Sequence, residues 1–269
     1  MIKTKHFEEA IQFTMGQEVN GDVPYLTTVY LVDGLLIDTG PRHTAMELAQ
    51  ALEGRYVKLA VNTHYHEDHI GGNAILMRRF GIKILASRLS VPIIKQGAKL
   101  YRVGEEAWGA PEPTDVSCLP ETIETDRFRF DVIDTPGHCH GHVALVELSR
   151  GWCFSGDLYV HWEPNLYGPS EEDLTEIVKS MKKLIGLKTE RLVLLTSVGR
   201  VVQDGRAALQ SRIEYYQASA HRARQLQKEG LSVVGIRDEL FGGESYVAHA
   251  TDGEISSEHF VEALLTADI

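Results

Sequence analysis

Cysteine is scarce in this sequence, with 3 in 269 residues: Cys118, Cys139 and Cys153. An odd, irregularly spaced trio excludes a disulfide framework and a four-cysteine zinc site, and points to a reducing compartment. An apolar leader is also missing. Residues 1–16 read MIKTKHFEEAIQFTMG, with Glu8 and Glu9 where a signal peptide needs its apolar stretch. No apolar run approaches the ~20 residues of a membrane helix, so the expected location is the cytoplasm, with no membrane partner. Basic residues are outnumbered, 27 Lys and Arg against 38 Asp and Glu, for a net charge of −11. That deficit argues against a nucleic-acid partner, because phosphate neutralisation needs a surplus of cations on some face. Neither a G-x-S-x-G elbow nor a phosphate-cradling P-loop is present, which removes two common routes to hydrolysis. No repeat, low-complexity tract or linker divides the chain, so residues 1–269 are expected to form a single domain.

Histidine is what the sequence has in abundance, and its 12 copies are unevenly placed. His64, His66 and His69 fall within six residues, and His138, His140 and His142 within five.

The surrounding pattern mixes strands and helices. Residues 25–38 form two strands rich in Val, Ile, Leu and Tyr about an Asp33-Gly34 turn. Helical spacing follows over 44–53 with Gly54 as C-cap, then a strand at 57–62, a helix at 72–80 and a strand at 82–86. The stretch 97–127, with Pro111, Pro113 and Pro120, is irregular and reads as a loop insertion or lid. Strands resume at 128–134, 143–148 and 152–157. A helix at 171–185 has Ser170 as N-cap and acids in its first turn. A strand at 191–197, a long helix over 204–228 and two short helices close the chain. Runs of strands with helices between and after them predict an α/β protein of two sheets covered by helices.

The first cluster, Thr63-His64-Tyr65-His66-Glu67-Asp68-His69, is an H-x-H-x-D-H run. In an extended backbone, residues 64, 66 and 68 share a face, and His69 joins them if the chain turns, for which Gly71-Gly72 would serve. Imidazoles and a carboxylate in one loop suit a borderline divalent metal. Two further strand-end loops carry candidate ligands: Thr135-Pro136-Gly137-His138-Cys139-His140-Gly141-His142, and Ser155-Gly156-Asp157. Their convergence would let one carboxylate serve two cations.

With Asp38-Thr39-Gly40 added, this ordered set resembles the metallo-β-lactamase superfamily, in the branch containing glyoxalase II and lactonase-like hydrolases, over residues 25 to 203. The resemblance implies a four-layer αββα sandwich, with a core of about 25–203 and C-terminal helices over 204–269. It implies that His64, His66 and His138 bind a first metal, that Asp68 and His69 bind a second, and that Asp157 bridges them. Asp38 then orients ligands, and His142 is structural. His140 and Cys139 are read as pocket lining or as packing.

The sequence departs from the family at one place. A P-G-H-G turn normally supplies a last histidine after the final core strand; here the residues are Thr196-Ser197-Val198-Gly199, with Val198 at the histidine's position. The chain therefore holds one or two divalent ions, zinc foremost, iron and manganese being the alternatives. His161 and His249 are the substitute ligands on offer. The implied function is metal-dependent hydrolysis of a small ester, thioester, lactone or phosphoester, with Asp68 as general base or holder of the water nucleophile. The rivals are a mononuclear non-haem iron oxygenase of the persulfide dioxygenase type and a non-catalytic binding protein on the same fold. The partner is a small molecule, and a homo-oligomer is compatible with the sequence. Tyr65, Tyr159, His161, Trp162, Tyr167 and Arg200, with Tyr101 and Trp108 from the insertion, are candidates for substrate contact or core packing.

Overall fold

The computed structural model describes residues 1–17, 26–97, 102–160 and 172–269. Its first sheet has seven strands in chain order: β1 (Ile2–Phe7), β2 (Ala10–Met15), β3 (Thr27–Val32), β4 (Leu35–Ile37), β5 (Leu59–Val61), β6 (Lys83–Ala86) and β7 (Ser117–Cys118). β1 to β4 pair antiparallel, whereas β4 to β7 run parallel. The second sheet comprises β8 (Thr122–Glu124), β9 (Arg129–Asp134), β10 (Val143–Glu147), β11 (Trp152–Phe154), β12 (Val193–Leu195) and β13 (Val201–Val202), again in chain order across the sheet. Only β11 and β12 are parallel within it.

The apolar runs of these strands divide by alternation into different cores. In the first sheet, Tyr30, Val32, Leu35, Ile37 and Val61 meet Phe130, Val143, Leu145, Trp152, Phe154, Val193 and Leu195 of the second, forming the layer between the sheets. The alternate residues Val29, Leu31, Leu36 and Ala60 pack outward under α1 (Ala45–Ala51), α2 (Glu67–Ile70), α3 (Asn73–Phe80) and α4 (Ser90–Gln96). A short α5 (Arg102–Ala107) follows. The outer face of the second sheet, Ala144, Val146, Cys153 and Leu194, lies under α6 (Leu174–Ile185), α7 (Gly205–Lys228), α8 (Val233–Phe241) and α10 (Ser257–Thr266), with α9 (Tyr246–Ala250) between the last two. Strands buried on both faces read as continuous apolar runs rather than as alternation, and this is the expected αββα sandwich.

Several boundaries differ from the sequence reading. The hairpin of β1 and β2 extends the first sheet from Ile2, well before residue 25; its turn sits at Glu8, with φ 49°, so the acids expected merely to spoil a leader form a hairpin corner. The β3–β4 turn is as predicted, with φ 47° at Asp33 and 81° at Gly34, the left-handed pair a two-residue hairpin requires. α6 starts at Leu174, not 171, and its N-cap is Asp173, whose carboxylate accepts from the Glu176 amide; Ser170 and Glu171 lie outside the described residues. α1 is preceded by a 3-10 turn at Arg42–Thr44, and its C-cap is Leu52 rather than Gly54. The insertion at 97–127 contains α5, β7 and β8, and the last forty residues hold three helices rather than two.

Candidate metal centre

The parallel strands decide where the histidines go. β4, β5, β11 and β12 end at the same edge of the sandwich, and the β9–β10 loop opens there too. Residues just past the carboxyl ends of parallel strands are where such sheets place their sites.

Asp38, immediately after β4, holds the arrangement together. It is 2% exposed and has a left-handed backbone, φ 64°. Its carboxylate accepts from the Thr63 amide at 2.8 Å, the Thr63 hydroxyl at 2.9 Å and His69 Nδ1 at 2.8 Å. Since the Thr63 hydroxyl hydrogen goes to Asp38, its oxygen accepts from His64 Nδ1 at 3.0 Å, which fixes the tautomer and leaves the His64 Nε2 lone pair bare.

The chain turns earlier than the glycines suggested. His66 is extended and caps α2, with His69 and Ile70 amides donating to its carbonyl. The turn is therefore helical and starts at Glu67, placing Asp68 and His69 within a helix rather than beyond a glycine bend. Gly71 and Gly72 serve close packing instead: a Cβ would stand 2.2 Å from the Arg42 amide at the first and 2.3 Å from the Thr39 carbonyl at the second. The His69 carbonyl is pinned by the Thr39 amide at 2.9 Å, the Thr39 hydroxyl at 3.0 Å and the Asn62 side chain at 3.2 Å.

His138 arrives from the β9–β10 loop. Its Nδ1 donates to Glu172 at 2.9 Å, and its Nε2 lies 2.9 Å from His66 Nδ1. Gly137 permits that approach, with φ 131° and a virtual Cβ only 2.3 Å from the Ile177 amide of α6. Gly137→Ala should lower unfolding stability by about 1–3 kcal/mol, since an L residue is strained there; the urea midpoint measures it, and an unchanged midpoint would mean the loop relaxes freely.

Two groups of donors result: His64, His66 and His138, and His64, His69 and Asp157, each with ligand atoms within 4.8 Å of one another. Asp157 spans both, Oδ1 lying 3.1 Å from His69 Nε2 and Oδ2 3.6 Å from His138 Nε2. Asp68 Oδ2 accepts from the Thr27 hydroxyl at 2.9 Å and stands 3.4 Å from His69 Nε2. His64 Nε2, His69 Nε2 and Asp157 Oδ1 are buried without a hydrogen-bond partner. Leaving such atoms unsatisfied costs about 1–3 kcal/mol each, and donor atoms gathered this closely could hold a metal ion.

The electrostatics agree. Burial and the neighbouring imidazoles hold the His64 pKa well below its usual value, so the ring is neutral. Burial pulls His69 down, but the charges of Asp68, Asp157 and Asp38 outweigh it and drive the pKa well up. Against the opposing effect of burial, His69 also keeps the Asp68 and Asp157 carboxyls low. Asp38, Asp68 and Asp157 thus surround His69, and their carboxylates favour positive charge in this space.

The remaining candidates separate. His142 is fully buried; its Nε2 accepts from the Asp157 amide at 3.0 Å and its Nδ1 donates to Thr135 at 2.9 Å, with the pKa pushed down to about 3, chiefly by burial. It is scaffolding, as expected. Cys139, Tyr65 and Tyr159 are core residues. His140, Arg200 and His249 are exposed, and Trp108 is half-buried with its carbonyl on the His43 amide. His249 lies on α9 and joins neither donor group. Tyr101, His161, Trp162 and Tyr167 lie outside the described residues. Sequence reasoning missed Thr27, Thr63, Glu172 and Ser197. Their short polar side chains carry no motif signal, and only sheet register and the α6 packing bring them to the site.

The fold and site together define a class. The family model of the metallo-β-lactamase superfamily matches residues 22–196, and the chain belongs to that superfamily. A β-lactamase-like protein 2 homologue of Drosophila melanogaster is 26% identical over 208 residues, 71% of this chain and 63% of that one, so the chain spans less than two thirds of that relative's length. A hydroxyacylglutathione hydrolase of Xanthomonas campestris pv. campestris is 28% identical over 214 residues, 76% of this chain and 75% of the enzyme. A metallo-β-lactamase family protein of Thermus thermophilus shares the fold, with a TM-score of 0.65, 18% identity and coverage of 94% of this chain and 90% of its own. Among the described residues no helix is long and apolar enough to cross a membrane.

Proposed function

We propose that this chain is a metal-dependent hydrolase, adding water to a small ester, thioester, lactone or phosphoester. The observation that carries the reading is the convergence of His64 Nε2, His69 Nε2 and Asp157 Oδ1, buried and unpartnered. The hydrolase names of the relatives support it. His64, His66 and His138 would hold one divalent cation, and Asp68, His69 and Asp157 a second, with Asp157 shared. Such ions supply Lewis acidity, polarising a carbonyl or phosphoryl oxygen and making water a nucleophile near neutral pH.

The chain's own residues do the rest. Thr63, itself held by Asp38, fixes the tautomer of His64 and aims its ring. Glu172 orients His138. Asp68, ionised and steadied by Thr27, holds the attacking water by accepting its hydrogen bond and can take its proton. In this reading residues 25–203 and the helices of 204–269 act as one domain, because Phe260, Val261 and Leu264 of α10 share a core with α6 and α7.

The test is metal removal. Protein stripped by a chelator should lose hydrolysis across a panel of esters, thioesters, lactones and phosphoesters, and regain it with Zn²⁺, Mn²⁺ or Fe²⁺. Hydrolysis indifferent to chelation overturns the reading. The second donor group, two imidazoles and a carboxylate, is also the set used by mononuclear iron oxygenases; one tightly held iron with oxygen uptake and no hydrolysis would favour that alternative.

A further inference from the structure

Ser197 is 4% exposed, and among the described residues its buried hydroxyl closes no hydrogen bond of good geometry, although a serine hydroxyl can both donate and accept. It stands two residues past β12. The parallel register of β11 and β12 pairs Phe154 with Leu195, and the Ser155 amide still donates to the Leu195 carbonyl at 3.2 Å before the chain turns into a 3-10 helix at Gly156–Leu158 that carries Asp157. On its other side the Ser197 carbonyl accepts from the Thr28 amide at 2.6 Å, and the adjoining Thr27 is the residue that holds Asp68. The hydroxyl therefore lies between the segments that carry Asp68 and Asp157. Burial raises the Asp157 pKa, and His69, His138 and the nearby Ser197 hydroxyl lower it, so the hydroxyl faces Asp157 although no hydrogen bond of good geometry closes between them.

Four buried polar atoms without partners, His64 Nε2, His69 Nε2, Asp157 Oδ1 and Ser197 Oγ, thus belong to one edge of the sandwich. The mechanism uses the first three. Val198, where a histidine was expected from the sequence, is half-buried and has no donor atom.

We propose, building on the hydrolase reading above, that the Ser197 hydroxyl completes the second cation site as a neutral oxygen donor beside Asp68, His69 and Asp157. The set becomes three oxygens and one imidazole, against three imidazoles and the shared carboxylate at the first site. Oxygen donors suit harder cations such as Mn²⁺, and imidazole suits Zn²⁺. The two sites therefore differ in strength and preference, the second being weaker and less selective for zinc.

The test uses the full chain, stripped by chelator and titrated with Mn²⁺ alone and Zn²⁺ alone, with bound ion counted by calorimetry and free Mn²⁺ followed by its paramagnetic resonance signal. Wild type should bind two Mn²⁺ with unequal affinities. Ser197→Ala should keep the tighter ion and bind the second at least ~10-fold more weakly. Because the hydroxyl closes no hydrogen bond of good geometry among the described residues, the stripped variant should melt close to wild type. Ser197→Cys should shift the second site toward Zn²⁺, since thiolate is a soft ligand, and a purely structural serine would not do that. Two Mn²⁺ with wild-type constants in Ser197→Ala, or only one Mn²⁺ in wild type, overturns the proposal while leaving a single-cation hydrolase intact. Failure of wild type to bind any divalent ion overturns the hydrolase reading along with it.

Discussion

A His64→Ala chain should retain less than about one thousandth of the wild-type hydrolysis, corresponding to a loss of roughly 4 kcal/mol of transition-state stabilisation. His64 is a proposed ligand of the first cation and also stands beside His69 and Asp157, so its removal should empty the first site and disturb the second, whereas His66→Ala should affect mainly the first. The imidazole is fully buried and neutral, so replacing it removes no charge and leaves a small cavity, and the variant should fold. Elemental analysis of the purified variant beside a circular-dichroism melt separates loss of ligand from loss of structure. Full metal content with full activity would remove His64 from the centre.

Asp38 should show the largest stability effect at the site. Asp38→Ala strands the Thr63 amide, the Thr63 hydroxyl and His69 Nδ1 in a buried place, and it forces alanine into a left-handed backbone. Stranded buried donors and a lost ion pair together cost about 3–5 kcal/mol, a large share of a domain's stability. Asp38→Asn tolerates the same φ and still accepts from Thr63, so it should fold, yet it cannot hold His69 in the same way. Its expected signature is about a 10–100-fold weaker metal affinity with only a modest fall in the urea midpoint. Equal losses in both variants would mean that the carboxylate charge itself, and not the backbone fit or the bonds from Thr63, carries the effect.

The contrast between these residues shows what kind of information a sequence carries. His64, His66, Asp68 and His69 stood out as candidate ligands because their types cluster at short spacings, and Asp38 because it sits in a turn that the resemblance covers. Asp157 and His138 needed only the rule that loops at one edge converge. Thr27 and Glu172 lie outside the motifs, and Ser197 sits in the turn where a histidine was expected next to it; as common polar residues they stand out only once the sheets are paired. The same limit explains the boundary errors. The acids at Glu8 and Glu9 hid a hairpin because β1 is largely exposed and lacks an apolar pattern, and the turn at Glu67 was helical because His66 supplied a capping carbonyl that no glycine count reveals.

The sequence by itself determined that the central strands of two sheets would be buried on both faces, since those strands are continuously apolar, and that histidines and carboxylates would stand at strand ends. Those properties are local: residue type and spacing suffice. Only the tertiary structure decided which nitrogen of His64 is bare, which carboxylate reaches across both donor groups, and what stands where the last histidine was expected. These depend on hydrogen bonds between segments tens of residues apart, closed by parallel strand pairing. The Ser197 hydroxyl comes to the Asp157 loop by the register of β11 on β12, and nothing in the order of residues around Val198 carries that fact.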